Sequence, residues 1–288
     1  LKKPIRLGFL DFSTPQLRRH ACEDEVRLNR RLSPDVYLGV IPISRNQQGE
    51  FSLHEAGEAI DWMVQMRRLP EDKSLDHLLR TGRLQATDED AISQRLIAFF
   101  AKLTPVFVKP DEYRCNLENH IRGNEQDLIG IVSSSERIWI NRIVGNQLRY
   151  LHVQAPLFHA RVKDGRLVDG HGDLRPEHIY AESPPSIIDC IEFSAELRRN
   201  DVADELSFLA MECDRIGRSE FGNRIFAAYA AASGDNPPTS LIAFYKSYRA
   251  VVRAKVALIR MQQGAEASRP SLLRQVHHYL TWADHYAA

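Results

Sequence analysis

The sequence lacks an excess of charge of either sign: 38 lysines and arginines stand against 38 aspartates and glutamates over 288 residues. That balance excludes a dedicated nucleic-acid coat and a polybasic membrane binder, both of which need a basic face. It also lacks any apolar run near the ~20 residues that a membrane span requires. Cysteine is sparse: Cys22, Cys115, Cys190 and Cys213 stand apart, with no CxxC pair. Neither a structural zinc site nor a disulfide framework fits that scatter, and reduced thiols in a cytoplasmic setting do. There is no signal-peptide pattern, internal repeat or low-complexity stretch. No methionine opens the chain, which starts Leu1-Lys2-Lys3-Pro4; the expectation is a piece of a longer protein with its first strands missing. What is present is an ordinary globular composition, long enough for one large domain or two small ones.

The first 70 residues predict a small sheet with one helix. Residues 5–12 read as a strand and turn. Residues 15–32 read as a helix, with Thr14 as N-cap and Pro15 at the first helical position. The β-branched and aromatic run 36–44 reads as a strand, Asn46 to Gly49 as a hairpin turn, and 58–68 as a further strand. After Leu69-Pro70 helical patterns dominate, over 74–81, 88–103, 111–133 and 135–163. A β-like island follows at 165–192, and then helices over 197–215, 218–233, 239–263 and 270–286. The predicted boundary lies at Leu69-Pro70, dividing a β-rich portion, 1–69, from a helical one, 70–288.

The chemistry concentrates in residues 168–192. A strand ends in His171-Gly172-Asp173, where Gly172 permits backbone angles closed to other residues. Pro176 stiffens the loop and biases Arg175 away from the helical region. His178 follows five residues after Asp173, and an apolar pair, Ile187-Ile188, delivers Asp189, with Glu192 beyond it. Two short strands joined by a tight loop would gather Asp173, His178 and Asp189. That set suits phosphoryl transfer, which needs one carboxylate to orient or deprotonate an attacking hydroxyl and further ligands for Mg²⁺ on nucleotide phosphates. The protein-kinase pattern H-R-D-x-x-x-x-N has the same offset of five, followed by a strand carrying a second Asp.

HGDLRPEHI resembles the HGDLHPGNI-type motif of the aminoglycoside phosphotransferase and choline kinase superfamily, and IIDCIEFSAELRRNDVADELSFL resembles its IDxxxxxxGDPxxDLA stretch. FLDFSTPQLRRHACEDEVRLNRRLSPDVYLGVIPI and WMVQMRRLPED resemble a bacterial branch in which this domain is often followed by a P-loop ATPase-type domain. The resemblance covers most of the chain. It implies an α+β, protein-kinase-like bilobal fold, with a small β-rich lobe, here truncated, and a large mainly helical lobe. It implies ATP or GTP with Mg²⁺ as cofactors and a small-molecule acceptor. Asp173 matches the catalytic-loop aspartate, with His171 beside it, and Asp189 matches the metal-binding aspartate. His178 falls where the superfamily has Asn and is the expected metal ligand beside Asp189; imidazole can ligate Mg²⁺, but this hard cation prefers oxygen, so a single-metal site, a different metal or weak activity becomes the expectation. Lys2 or Lys3 is implied as the phosphate-binding lysine, paired with Glu25, with Glu23 as competitor. Asp201 and Glu205 match acidic positions that brace the catalytic loop.

The helix predicted over 239–263 is apolar nearly all round, yet carries Lys246, Arg249 and Arg253 at i, i+3 and i+7. Cations on a buried helix need anionic partners. Pairing with Asp201, Asp204, Glu205 or Glu212 is the preferred expectation; contact with an anionic substrate is the other, and Arg175 is a further possible substrate contact. The doublets Arg30-Arg31, Arg67-Arg68 and Arg198-Arg199, and His277-His278, read as solvated surface. Two functions compete: a small-molecule kinase, and a non-catalytic kinase-like module that grips a partner or a neighbouring ATPase domain. A metal-dependent phosphohydrolase is set aside because a binuclear site needs further His and Asp clusters on other strand ends.

Overall fold

A computed structural model describes residues 1–7, 10–46, 48–53, 57–130, 134–264 and 269–287. Along the chain run β1 (Arg6–Leu7), β2 (Leu10–Asp11), α1 (Pro15–Asn29), β3 (Tyr37–Arg45), β4 (Phe51–Ser52), β5 (Glu58–Met66), α2 (Leu75–Thr81), α3 (Ala86–Lys102), α4 (Pro110–Ile129), α5 (Ser134–Val153) and α6 (Ala155–Lys163). There follow β6 (Leu167–Asp169), β7 (Ile179–Tyr180), β8 (Ser186–Ile187), α7 (Ala195–Arg198), β9 (Arg199–Asp201), α8 (Val202–Arg215), α9 (Ser219–Ser233), α10 (Thr239–Gln263) and α11 (Arg269–Ala287). The fold is α+β and mostly helical.

Two compact units emerge, one of Leu1–Leu103 with Asp169–Arg199, the other of Thr104–Val168 with Asn200–Ala288. The expected boundary at Leu69-Pro70 lies inside the first. The reason is local: the strand leading to Asp189 is hydrogen-bonded to residues at the end of α1 and the start of β3, described below, so the 171–192 loops belong with the small sheet.

In the first unit the sheet has the order β4-β3-β5, antiparallel, with Tyr37 opposite Met66 at one end and Arg45 opposite Glu58 at the other. α1 packs on β3 and β5. Thr14 caps it, its hydroxyl accepting the Leu17 N–H at 3.2 Å, and Pro15 occupies the first turn, as the sequence predicts. Val26, Val36 and Tyr37 form a buried cluster with Val40, Val64, Leu69 and Ile188 around it. Arg18 pairs with Asp61 at 2.7 Å and ties α1 to β5. The expected strand and turn at 5–12 is the β1–β2 pair, with residues 8 and 9 outside the described residues. The turn after β3 has Gly49 at φ +86°; Gln47 likewise lies outside.

The second unit is helical, with one apolar core built from α4, α5, α6, α8, α10 and α11 around Phe158, Phe244 and Tyr245. The helix predicted over 135–163 is two. α5 ends at Val153, and Gln154 leaves helical geometry before Pro156 enters the first turn of α6, a place where the missing proline N–H costs nothing. The helix predicted over 197–215 also divides, because Asp201 is extended and caps α8, accepting the Ala203 N–H at 2.8 Å. The part of the predicted 111–133 helix beyond Gly130 lies outside the described residues. Among the described residues no helix is long and apolar enough to cross a membrane. None of the four cysteines forms a disulfide.

Candidate functional site

The loop after β6 is shaped by Gly172, at φ +84°. A Cβ there would stand 3.0 Å from Ile191 Cδ1 and 3.1 Å from the Leu197 carbonyl oxygen, so only glycine fits. Arg175, preceding Pro176, is extended (φ −137°, ψ 157°), and Pro176–His178 form a single 3-10 turn. β7 and β8 then pair antiparallel, Ile179 opposite Ile187 and Tyr180 opposite Ser186.

The end of β8 is held at each backbone N–H. Ile187 N–H donates to the Ser33 hydroxyl at 2.7 Å, Ile188 N–H to the His178 carbonyl at 2.9 Å, and Asp189 N–H to the Tyr37 hydroxyl at 3.1 Å. Cys190 N–H donates to Asn29 Oδ1 at 2.8 Å and Ile191 N–H to the His171 carbonyl at 3.1 Å. Asp189 itself adopts φ +65°, alone in that region among the described non-glycine residues. Its carboxylate is open to solvent, 64% exposed. Tyr37 is buried, and burial pushes its phenol well above the usual range, so it stays a neutral partner for Asp189.

These loops bring Asp173, His178 and Asp189 together. One ligand atom from each lies within 4.8 Å of the others. His178 Nε2 is 3.1 Å from Asp189 Oδ2, and Nδ1 is 3.8 Å from Asp173 Oδ2. The ring's protonation follows from its neighbours. Nδ1 lies 2.9 Å from the Asp173 carbonyl oxygen, which only accepts, so Nδ1 carries a proton. Nε2 lies 2.9 Å from Arg175 Nη2, which only donates, and 3.1 Å from Asp189 Oδ2, which only accepts; the hydrogen bond runs to Arg175, so Nε2 presents its lone pair there. Arg175 is buried, with Nε 2.9 Å from Asp173 Oδ1 and Nη1 paired with Glu177. The residue expected as a possible substrate contact is thus wired into the site itself.

His171, expected beside the reacting groups, is fully buried with both ring nitrogens engaged. Nε2 donates to the Ile188 carbonyl at 2.9 Å, and Nδ1 accepts the Asp173 N–H at 3.3 Å. It fixes the Asp173 backbone to the strand carrying Asp189. Burial, with His178 adding to it, pulls its pKa down to about 3. An unfolded histidine titrates near 6.5, so below that pH the unfolded chain takes a proton that the folded chain refuses. The contribution is complete above about pH 6.5 and is lost as the pH falls toward 3. Between pH 7 and pH 5 the expected loss from this residue is about 2 kcal/mol. His171→Gln removes that part of the slope, read from urea midpoints at the two pH values; an unchanged slope would mean the imidazole is not held neutral.

Lys2 meets Glu25 at 2.7 Å, as the resemblance implies, and also Glu192 at 2.5 Å. Burial pulls the ammonium down, but the two carboxylates outweigh it and hold its pKa above the ordinary lysine value. Lys3 is exposed, and Glu23 pairs with Arg19 instead. Glu192 as second partner was not foreseen, since a residue 190 positions away leaves no local signal.

The acidic and basic residues of the second unit have their own partners. Asp201 accepts from Arg161 at 2.7 and 2.6 Å and from the Tyr245 hydroxyl at 3.1 Å, besides capping α8. Glu205 accepts from Asn200 at 3.2 Å. Arg249 forks onto buried Asp204 at 2.7 Å through both nitrogens, Arg253 meets Glu212 at 3.2 Å, and Lys246 meets Asp214 at 2.7 Å. The preferred expectation, internal pairing of the α10 cations with α8, is what the geometry shows, with Asp214 added to the expected acids as the partner of Lys246.

Two arginines read as surface are structural. Arg31 donates to the Asp169 and Gly170 carbonyls, each at 2.7 Å. Arg198 is buried, pairs with Asp169 at 2.7 Å and donates to the Ile191 carbonyl at 2.9 Å. His277 pairs with Glu136, where no carboxylate was expected.

Uncharacterized proteins of Mycobacterium tuberculosis and Mycobacterium bovis are each 32% identical to this chain over 285 residues, 96% of it and 54% of their own length. The chain therefore spans about half the length of the curated relatives it matches. No family model matches it, and no solved structure matches it.

Proposed function

We propose that this chain is the phosphotransferase portion of an enzyme that moves a phosphoryl group from ATP, or GTP, to a hydroxyl of a small molecule. In this reading it has the protein-kinase-like bilobal fold of the aminoglycoside phosphotransferase and choline kinase superfamily and works in the cytoplasm. The observation that carries it is the meeting of Asp173, His178 and Asp189 within 4.8 Å on two loops braced by α1 and β3. The half-buried Lys2–Glu25 pair supports it.

Asp173 orients the acceptor hydroxyl and takes its proton, being partly exposed beside the carboxylate pair. Lys2 supplies positive charge to nucleotide phosphates. A divalent cation fits the open Asp189 carboxylate, since hard cations take oxygen ligands. When bound it would neutralise charge on the phosphates. The imidazole of His178 does not fit Mg²⁺ equally well: it is a nitrogen ligand, and its lone pair already faces Arg175.

The second reading is a kinase-like module that binds nucleotide or a neighbouring P-loop ATPase domain without catalysis. Arg175 and His178, which stand where the motif has His and Asn, favour it. Thermal unfolding of the full-length protein separates binding from its absence. Mg·ATP at a hundred times its Kd stabilises the folded state by about 2.7 kcal/mol, a rise of several degrees. Asp189→Asn removes most of that rise. No shift at millimolar Mg·ATP would sink the phosphotransferase reading and leave the non-nucleotide module.

A further inference from the structure

We infer that Arg175 is the second cation of this site, standing between Asp173 and His178 where a second divalent ion would otherwise sit, so that the site takes one divalent cation, on Asp189. The inference rests on the phosphotransferase reading for its purpose and on five side chains for its chemistry.

An imidazole nitrogen has one in-plane lone pair. At His178 the Nδ1 proton is fixed by the Asp173 carbonyl oxygen, so Nε2 is the nitrogen able to bind a metal. That nitrogen is already accepting from Arg175 Nη2 at 2.9 Å. A metal ion on Nε2 would need the same lone pair and would bring two positive charges against a guanidinium. His178 is therefore the anchor of Arg175 rather than a metal ligand, and it holds the guanidinium against Asp173 Oδ1 at 2.9 Å. The arginine cannot shed its charge at any ordinary pH. Its side chain is only 7% exposed, so it is not a surface residue resting nearby.

Charge balance agrees. Asp173, Glu177 and Asp189 contribute three negative charges and Arg175 removes one, which leaves the charge of one divalent cation. Protein kinases use two Mg²⁺ ions on an Asp and an Asn to neutralise the phosphates. A planar guanidinium with several N–H donors performs the same service for phosphate oxygens. Two of the three departures from the motif, Arg at 175 and His at 178, are then one device: the histidine positions the arginine.

The test counts Mn²⁺ on the full-length protein with a non-hydrolysable ATP analogue, by electron paramagnetic resonance. Counted as the excess over Asp189→Asn, which leaves any ion held elsewhere in the full-length protein, the wild type binds one Mn²⁺, and pulsed spectra show no imidazole ¹⁴N coupling. Arg175→Met, checked for folding by circular dichroism, frees the His178 lone pair: the count rises to two and the ¹⁴N coupling appears. Two ions or a ¹⁴N coupling in the wild type would overturn the inference without any variant, and a folded Arg175→Met protein that still binds one ion would overturn it as well. Wild type that binds no Mn²⁺ with the analogue fails at the earlier step, and takes the phosphotransferase reading with it.

Discussion

Asp173→Asn lowers ATP-dependent phosphorylation of a hydroxyl acceptor by about a thousandfold in the full-length protein, while the Mg·ATP thermal shift persists. The magnitude is that of losing a positioned general base in a reaction whose catalysis is otherwise orientation and electrostatics. The substitution is well confined. The backbone carbonyl that receives His178 Nδ1 is retained, as is the Asp173 N–H that His171 accepts. An amide oxygen remains for Arg175, though without the charge. Transfer of labelled phosphate from ATP to a set of hydroxyl compounds measures the effect. Turnover within tenfold of wild type would remove Asp173 from the chemistry and with it the assignment of the loop.

Arg161→Met costs about 3–5 kcal/mol of stability in the second unit. Arg161 is buried between Asp201, at 2.6 and 2.7 Å, and Asp235, to which Tyr229 also donates at 2.9 Å. Burial alone works against the charge of this arginine, but the two carboxylates hold it firmly protonated. Methionine fills much of the volume, leaves Asp201 buried without its arginine and leaves Asp235 only the more distant Arg166 at 3.6 Å, the costly half of a broken pair. Asp201 also caps α8, so its repulsion from Asp235 loosens a helix that is buried from Val202 to Cys213. Urea unfolding followed by circular dichroism reads the loss. Arg161→Lys restores only part of it, because an ammonium cannot fork onto both carboxylates. A loss below 1 kcal/mol for the methionine variant would show that water reaches the pair.

What the sequence disclosed depended on how far each signal travels along the chain. Thr14 and Pro15 announce the start of α1, because capping involves residues three apart. The spacing of Asp173, His178 and Asp189 pointed to a meeting of side chains, because two short strands leave few other arrangements. Lys246, Arg249 and Arg253 on an apolar helix required acids, and Asp204 and Glu212 were legible as candidates. Asp214, two residues beyond Glu212, was not. Arg31 and Arg198 were misread for a physical reason: arginine doublets resemble solvated surface, the backbone carbonyls that receive Arg31 carry no residue type to recognise, and Asp169, which receives Arg198, lies 29 residues away. The break at Gln154 was hidden because apolar spacing continues across it and Pro156 is acceptable in a first turn. Arg175 reads as loop chemistry until the orientation of the His178 ring is known.

The left-handed backbone at Asp189 bears on how the protein can be improved by selection. A non-glycine residue held there costs on the order of 1 kcal/mol, which glycine relieves and asparagine eases. Selection for heat resistance alone would therefore be drawn toward position 189, and would trade away the carboxylate there for a more relaxed turn. Persistence of aspartate at such a position under stability screening would be a mark of function that no contact map records.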